Sequence, residues 1–113
     1  MNELKKLLTD FREERDWVKF HSPKNLSMAL SVEASELLEL FQWMTEEESL
    51  NLDAVKLKRA EEEIGDIMAY LIFICDRLNL DPVEAAKRKM KINKAKYPVE
   101  LSRGNAIKYN ERG

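Results

Sequence analysis

Apolar residues recur every three or four positions along four stretches of this chain, the spacing that lines one face of a helix. Leu4, Leu7, Leu8, Phe11 and Trp17 fall among charges over residues 2 to about 18, and the pattern stops at the turn "FHSPKN". Ser22 followed by Pro23 is a start signal, because proline suits a first helical position, and a second periodic segment runs from about Asn25 to Met44. "TEEESLNLD" is a polar connection with room for a short turn. Ala54 to about Leu78 repeats apolar residues for about seven turns, the longest and least polar helix of the set. Asp81 can cap a fourth helix that begins at Pro82 and ends before Pro98, and residues from about 98 to 113 read as an extended tail. No segment reads as a strand and no repeat is evident. The expectation is an all-α fold in a single domain, residues 1–113, built as a four-helix antiparallel bundle or half of one.

The apolar stripes contain acids. On a wheel of about 100° per residue, Glu33 lies within about 40° of Leu26, Leu37, Leu40 and Met44, and Glu36 about 60° away beside Ala29. Glu39 turns toward the polar flank. On the third helix Glu63 is within about 40° of Ile67 and Tyr70, with Asp66 next to it, whereas Glu61 and Glu62 diverge. Each helix therefore offers an acid pair at i, i+3, side by side on one face. One reading places each acid at the edge of its stripe, reaching water and pairing with a lysine. The other is a cluster, and clustered carboxylates cost several kcal/mol in desolvation and mutual repulsion unless cations accompany them. The basic residues sit in polar segments, so a divalent metal is the more economical partner. Oxygen ligands without cysteine or histidine clusters select Mg²⁺, with Mn²⁺ as the alternative. A di-iron site would need Glu-x-x-His on its helices, and the single histidine, His21, is in the turn before the second helix. Mg²⁺ held by few carboxylates keeps waters and takes substrate phosphates, which points to phosphoryl or nucleotidyl transfer to water.

Composition narrows the partners. Nineteen Lys and Arg against 21 Asp and Glu give a net charge of −2, with no global positive field to hold a nucleic-acid polymer. The one cysteine, Cys75, allows no internal disulfide and reads as a small buried hydrophobe, which suits a reducing cytoplasm. Its apolar run "IMAYLIFIC" is about half the ~20 residues that cross a bilayer, and the N-terminus lacks a signal-peptide core, so no membrane association is expected. At 113 residues the chain is near the size where a second subunit completes the core.

In order along the chain, "ERDWVKFHSPKNL", "LSVEASELLELFQW", "EEEIGDIMAYL" and "KMKINKAKYPVEL" resemble the MazG-like all-α nucleoside triphosphate pyrophosphohydrolases, most closely those of the dCTP pyrophosphatase type. The family's E-x-x-E and E-x-x-D signatures land on Glu33, Glu36, Glu63 and Asp66. The resemblance implies that these four are the metal ligands and catalytic residues of an Mg²⁺-dependent hydrolysis of a (d)NTP, dCTP or a modified dCTP, to the monophosphate and pyrophosphate, with Glu36 or Glu33 as candidate general base. It also implies a homotetramer, a dimer of dimers with helices of two chains enclosing each site. Three positions depart from the wider pattern: Val32 replaces the first of paired glutamates, Ser35 a common glycine, and Lys91 an acidic residue.

By the same resemblance Trp17, His21, Trp43 and Tyr70 correspond to aromatic positions around the base, where stacking is worth ~1–3 kcal/mol per base. Asn25 is a further candidate for a base or sugar contact. On the fourth helix Val83, Ala86, Met90, Asn93 and Tyr97 form one stripe, with Lys89 and Lys96 flanking Asn93, and the family's phosphate-binding positions coincide with Lys89, Asn93 and Lys96. Arg103 and Tyr109 in the tail are candidates to close over the site. Against the enzyme stands a non-catalytic helical module that senses nucleotides or oligomerises through an acid-edged groove.

Overall fold

The computed structural model describes residues 1–99 and Gly104. Among the described residues there are five α-helices and one 3-10 turn: α1 (Asn2–Glu14), the 3-10 turn (Val18–Phe20), α2 (Pro23–Phe41), α3 (Glu46–Ser49), α4 (Ala54–Arg77) and α5 (Pro82–Lys96). The described residues contain no strand, so the class is all-α as expected. Four helices are long and the additional one, α3, is a single turn in the polar connection.

Local chemistry sets the boundaries. The Ser22 hydroxyl accepts from the Asn25 N–H at 3.1 Å, with Pro23 in the first turn. Asp53 caps α4 by accepting from the Lys56 N–H at 2.8 Å. Asp81 caps α5 by accepting from the N–H groups of Val83 and Glu84. Thr45 and Glu48 form a reciprocal capping box, each side chain accepting from the other's N–H at 3.1 Å, which is what lets a single turn stand as α3.

The first helix ends at Glu14, short of the expected 18. Asp16 takes the left-handed conformation at φ 53°, the Asp16 N–H donates to the Glu13 carbonyl, and the Trp17 N–H donates to the Arg12 carbonyl. That is a Schellman stop with aspartate in the usual glycine position. The ring of Trp17 then folds back edge-on against Phe11, 5.5 Å between centroids. The apolar spacing of these two residues imitates another helical turn, although a chain reversal brings them together. Asn79, at φ 56°, ends α4 in the same left-handed manner.

The chain divides into two compact units, Met1–Asn79 and Leu80–Gly113. In the first, α2 and α4 form the main pairing and α1 packs on α4. Glu39 meets Arg59 at 3.9 Å, Glu33 and Glu36 meet Glu63, and His21, just ahead of α2, meets Phe73. Position falls along one helix as it rises along the other, so α2 and α4 are antiparallel. The core of this unit is Leu26, Ala60, Ile72, Phe73 and Cys75. The second unit consists of α5, with Lys87 paired to Glu84 at 3.7 Å, and the segment after it.

Candidate metal centre

Glu33 and Glu36 are one turn apart on α2, and the antiparallel pairing sets Glu63 of α4 opposite them. One carboxylate oxygen from each of the three lies within 4.8 Å of the others. All three side chains are half-buried, whereas Glu39, Glu61 and Glu62 are exposed, so the helical wheel separates the clustered acids from the solvated ones. Glu33 Oε2 and Glu63 Oε2 are shut off from solvent without a hydrogen-bond partner.

Such an arrangement resists ionisation. Burial first, then hydrogen bonding with Glu36 and Glu63, then the charges of Glu36 and Asp66, push the Glu33 carboxyl up to about 7. Glu63 is raised as well, by loss of hydration first and then by Glu36 and Asp66. Bringing these carboxyls together thus favours keeping a proton among them. Three converging carboxylates with two orphaned buried oxygens form a donor set of hard oxygens, and a divalent cation replacing that proton would satisfy both oxygens and reverse the repulsion. The residues present fit such an ion.

Asp66 is exposed, and its oxygens are not among the three that converge, although its charge reaches both Glu33 and Glu63. Tyr70, one turn farther along α4, is half-buried and meets Phe73 edge-on at 6.4 Å. His21 is only 8% exposed, its ring 4.7 Å from Phe73. Burial first, then the positive charges of Arg12 and Arg77, hold the His21 imidazole below its usual value. Trp17 stays exposed beside Phe11 and the Arg15 guanidinium, which sits 3.7 Å over the Phe11 ring. The Asn25 amide donates to the Phe20 carbonyl at 3.2 Å, so in this structure it braces the 3-10 turn that carries His21. Trp43, just beyond α2, is 90% exposed. Lys89, Asn93 and Lys96 all lie on α5, Lys89 exposed and the other two half-buried. Arg103, Tyr109 and the expected extended conformation of the tail lie outside the described residues.

The sequence pattern also holds a signal apart from the acids. Arg12 follows Leu4 and Leu8 at four-residue steps, a cation on the apolar stripe of α1, and it is 5% exposed. Its Nη2 donates to Asp76 Oδ2 at 2.9 Å, and Lys5 Nζ lies 3.5 Å from Asp76 Oδ1. Burial works to raise Asp76, but the Arg12 hydrogen bond and the two cations win and hold its carboxyl below the usual range.

The model of the MazG-like family matches residues 28–111. Among the relatives, dCTP pyrophosphatase 1 of Bos taurus is 42% identical over 113 residues, covering 98% of this chain and 67% of that protein. The human dCTP pyrophosphatase 1 is 39% identical, covering 98% of this chain and 66% of that protein. The chain thus spans about two thirds of the length of these relatives. Among solved structures, a pyrophosphatase from Archaeoglobus fulgidus superposes with a TM-score of 0.83 at 45% identity, over 87% of this chain and 92% of that one.

Proposed function

The chain belongs to the MazG-like family, and from that premise we propose that it is a nucleoside triphosphate pyrophosphohydrolase, cutting between the α and β phosphates to release the monophosphate and pyrophosphate. The observation that carries the reading is the convergence of Glu33, Glu36 and Glu63, with buried oxygens left unpaired. These three carboxylates hold Mg²⁺, or Mn²⁺, and Asp66 on the adjoining turn completes the acidic set. When bound, such a cation neutralises charge on the phosphate oxygens and lowers the pKa of a bound water for in-line attack. Glu33 or Glu36 takes the proton of the attacking water. Lys89, Asn93 and Lys96 grip phosphate oxygens, while Trp17, His21, Asn25, Trp43 and Tyr70 surround the base and sugar.

The substrate is dCTP or a modified dCTP, in keeping with the relatives' names, and the setting is nucleotide-pool clean-up in a reducing cytoplasm, which suits the lone Cys75. Large exposed side chains on both site-bearing helices, among them Val32, Leu38, Ile64 and Met68, support assembly with further copies, as a homotetramer.

Incubation with Mg²⁺ and a panel of triphosphates tests the reaction: monophosphate and pyrophosphate in equal amounts are expected, fastest from the cytosine nucleotides. Release of orthophosphate, or no turnover of any triphosphate, ends this reading. Ligand-induced stabilisation without turnover would favour the nucleotide-sensing module instead. Glu63→Gln is expected to keep the fold and lose hydrolysis, and retained activity would refute a metal role for Glu63.

A further inference from the structure

Phe73 has two polar groups against its ring. The His21 ring is 4.7 Å from its centroid and the Arg12 guanidinium carbon 5.7 Å. Both residues are more than nine-tenths buried, and both are incompletely satisfied: Arg12 Nε and Nη1 and His21 Nδ1 have no hydrogen-bond partner. A buried guanidinium using one of its three nitrogens is costly, and an apolar side chain at this helix position would pack α1 on α4 without that cost.

We propose that Arg12, anchored on Asp76 and sharing the Phe73 ring with His21, is a positioning residue that keeps the His21 imidazole neutral and fixed as a polar surface for the nucleobase. The inference rests on the reading of His21 as a base contact given above. Two positive charges in a poorly hydrated pocket repel strongly, so the guanidinium, which never gives up its proton, obliges the imidazole to stay neutral. An N–H at the buried, unpartnered Nδ1 would waste a donor beside a cation, whereas a lone pair there is favoured by it. The proton therefore sits on Nε2, and His21 presents one defined tautomer. The charges that act on it are Arg12 from α1 and Arg77 from α4, with Asp76 of α4 joined to Arg12 and Lys5. On the adjoining turn Lys19 is engaged with Asp16 at 3.1 Å, and Lys24 of α2 is exposed. Asp76 is bound to Arg12 and Lys5, so its negative charge is spent on them and the field at His21 remains positive.

His21 is the one histidine of the chain, so its imidazole resonances report on it without assignment. In the full chain His21 is expected to titrate below the ordinary ~6.5. In Arg12→Met it is expected to move up toward that value, with burial and Arg77 still acting to lower it, and in Arg12→Lys, which keeps the charge, to stay low. Should Arg12→Met fail to fold, the double variant R12M/D76N removes both partners of the pair and carries the same expectation. Kinetics supply the second readout, at saturating Mg²⁺ and as the ratio of variant to parent at each pH, which cancels the titration of the carboxylates common to both. If only the neutral imidazole binds, KM of R12M rises relative to parent as pH falls to about 5.5, by the ratio of neutral fractions that the two titrations give, while matching it at about pH 8. The kcat ratio is expected to stay flat, and R12K to restore the parental KM. An unmoved His21 titration in R12M overturns the proposal, as does a moved titration with a flat KM ratio, which leaves the hydrolase reading standing. A parent that turns over no triphosphate at any pH removes that reading and this proposal with it.

Discussion

Two glutamates three residues apart on one helix have opposite surroundings. Glu36 joins the converging carboxylates, while Glu39 is exposed and reaches only Arg59 at 3.9 Å. A pair this exposed is worth about 0–1 kcal/mol, so Glu39→Gln is expected to leave turnover within about twofold of parent, measured at saturating Mg²⁺. Glu33→Gln is expected to cut turnover by more than about a hundredfold. Its effect on stability has the opposite sign. Glu33 is raised from 4.5 to about 7 in the folded chain, so between those values the folded state holds a proton that the unfolded state has lost. Stability from this group is therefore present below about 4.5 and is lost as pH rises through about 7. His21, lowered by burial and by Arg12, works the other way and gains stability as pH rises to 6.5, so the parent's own pH profile mixes the two. Comparison with Glu33→Gln isolates the acid: without metal, the variant's advantage should grow from pH 5 to pH 8 and reach about 1 kcal/mol, about 4–8 °C in melting temperature. A constant difference across that range would contradict the raised carboxyl.

The site-bearing elements owe their limits to caps, and these follow from short-range chemistry. Asp53 begins α4 ten residues before Glu63, and Asp53→Ala is expected to cost about 1 kcal/mol in denaturant unfolding. Gly65 lies inside α4 between Ile64 and Asp66, and a Cβ there would meet nothing within 4 Å. Gly65→Ala is therefore expected to stabilise the separate chain by about 0.5–1 kcal/mol. If the melting temperature falls instead in the assembled protein, a neighbouring copy occupies that space. Where the sequence pattern misplaced a boundary, the cause was a contact that copied helical spacing. Trp17 continues the apolar series of α1, yet its ring reaches Phe11 through the Schellman reversal at Asp16, where aspartate takes the place of the usual glycine. At the other end of α2, Met44 extends the stripe, but its N–H donates to Phe41 only three residues back, in the tightened turn that leaves Trp43 exposed.

Across the molecule, Mg²⁺ binding is expected to raise the melting temperature at pH 7.5 in proportion to the logarithm of its concentration and to release protons near pH 7, since the cation displaces the proton held on Glu33. Calorimetry in buffers of different ionisation enthalpy reads that release, and binding without it would place the cation elsewhere. No helix among the described residues is long and apolar enough to cross a membrane, which agrees with the shortness of the "IMAYLIFIC" run. The all-α class, the helix starts at Ser22 and Asp81 and the separation of Glu33, Glu36 and Glu63 from Glu39, Glu61 and Glu62 were legible in the chain itself, because caps and a 3.6-residue period are local properties. Tertiary structure alone decided that Glu63 faces the Glu33–Glu36 pair while Asp66 stays outside the converging three, and that Arg12 is buried between Asp76 and Phe73. Those outcomes depend on the rotation and register of α4 against α2 and α1. Both are settled by how side chains such as Leu26, Ile72 and Phe73 fill the space between helices, which no periodicity within one helix contains.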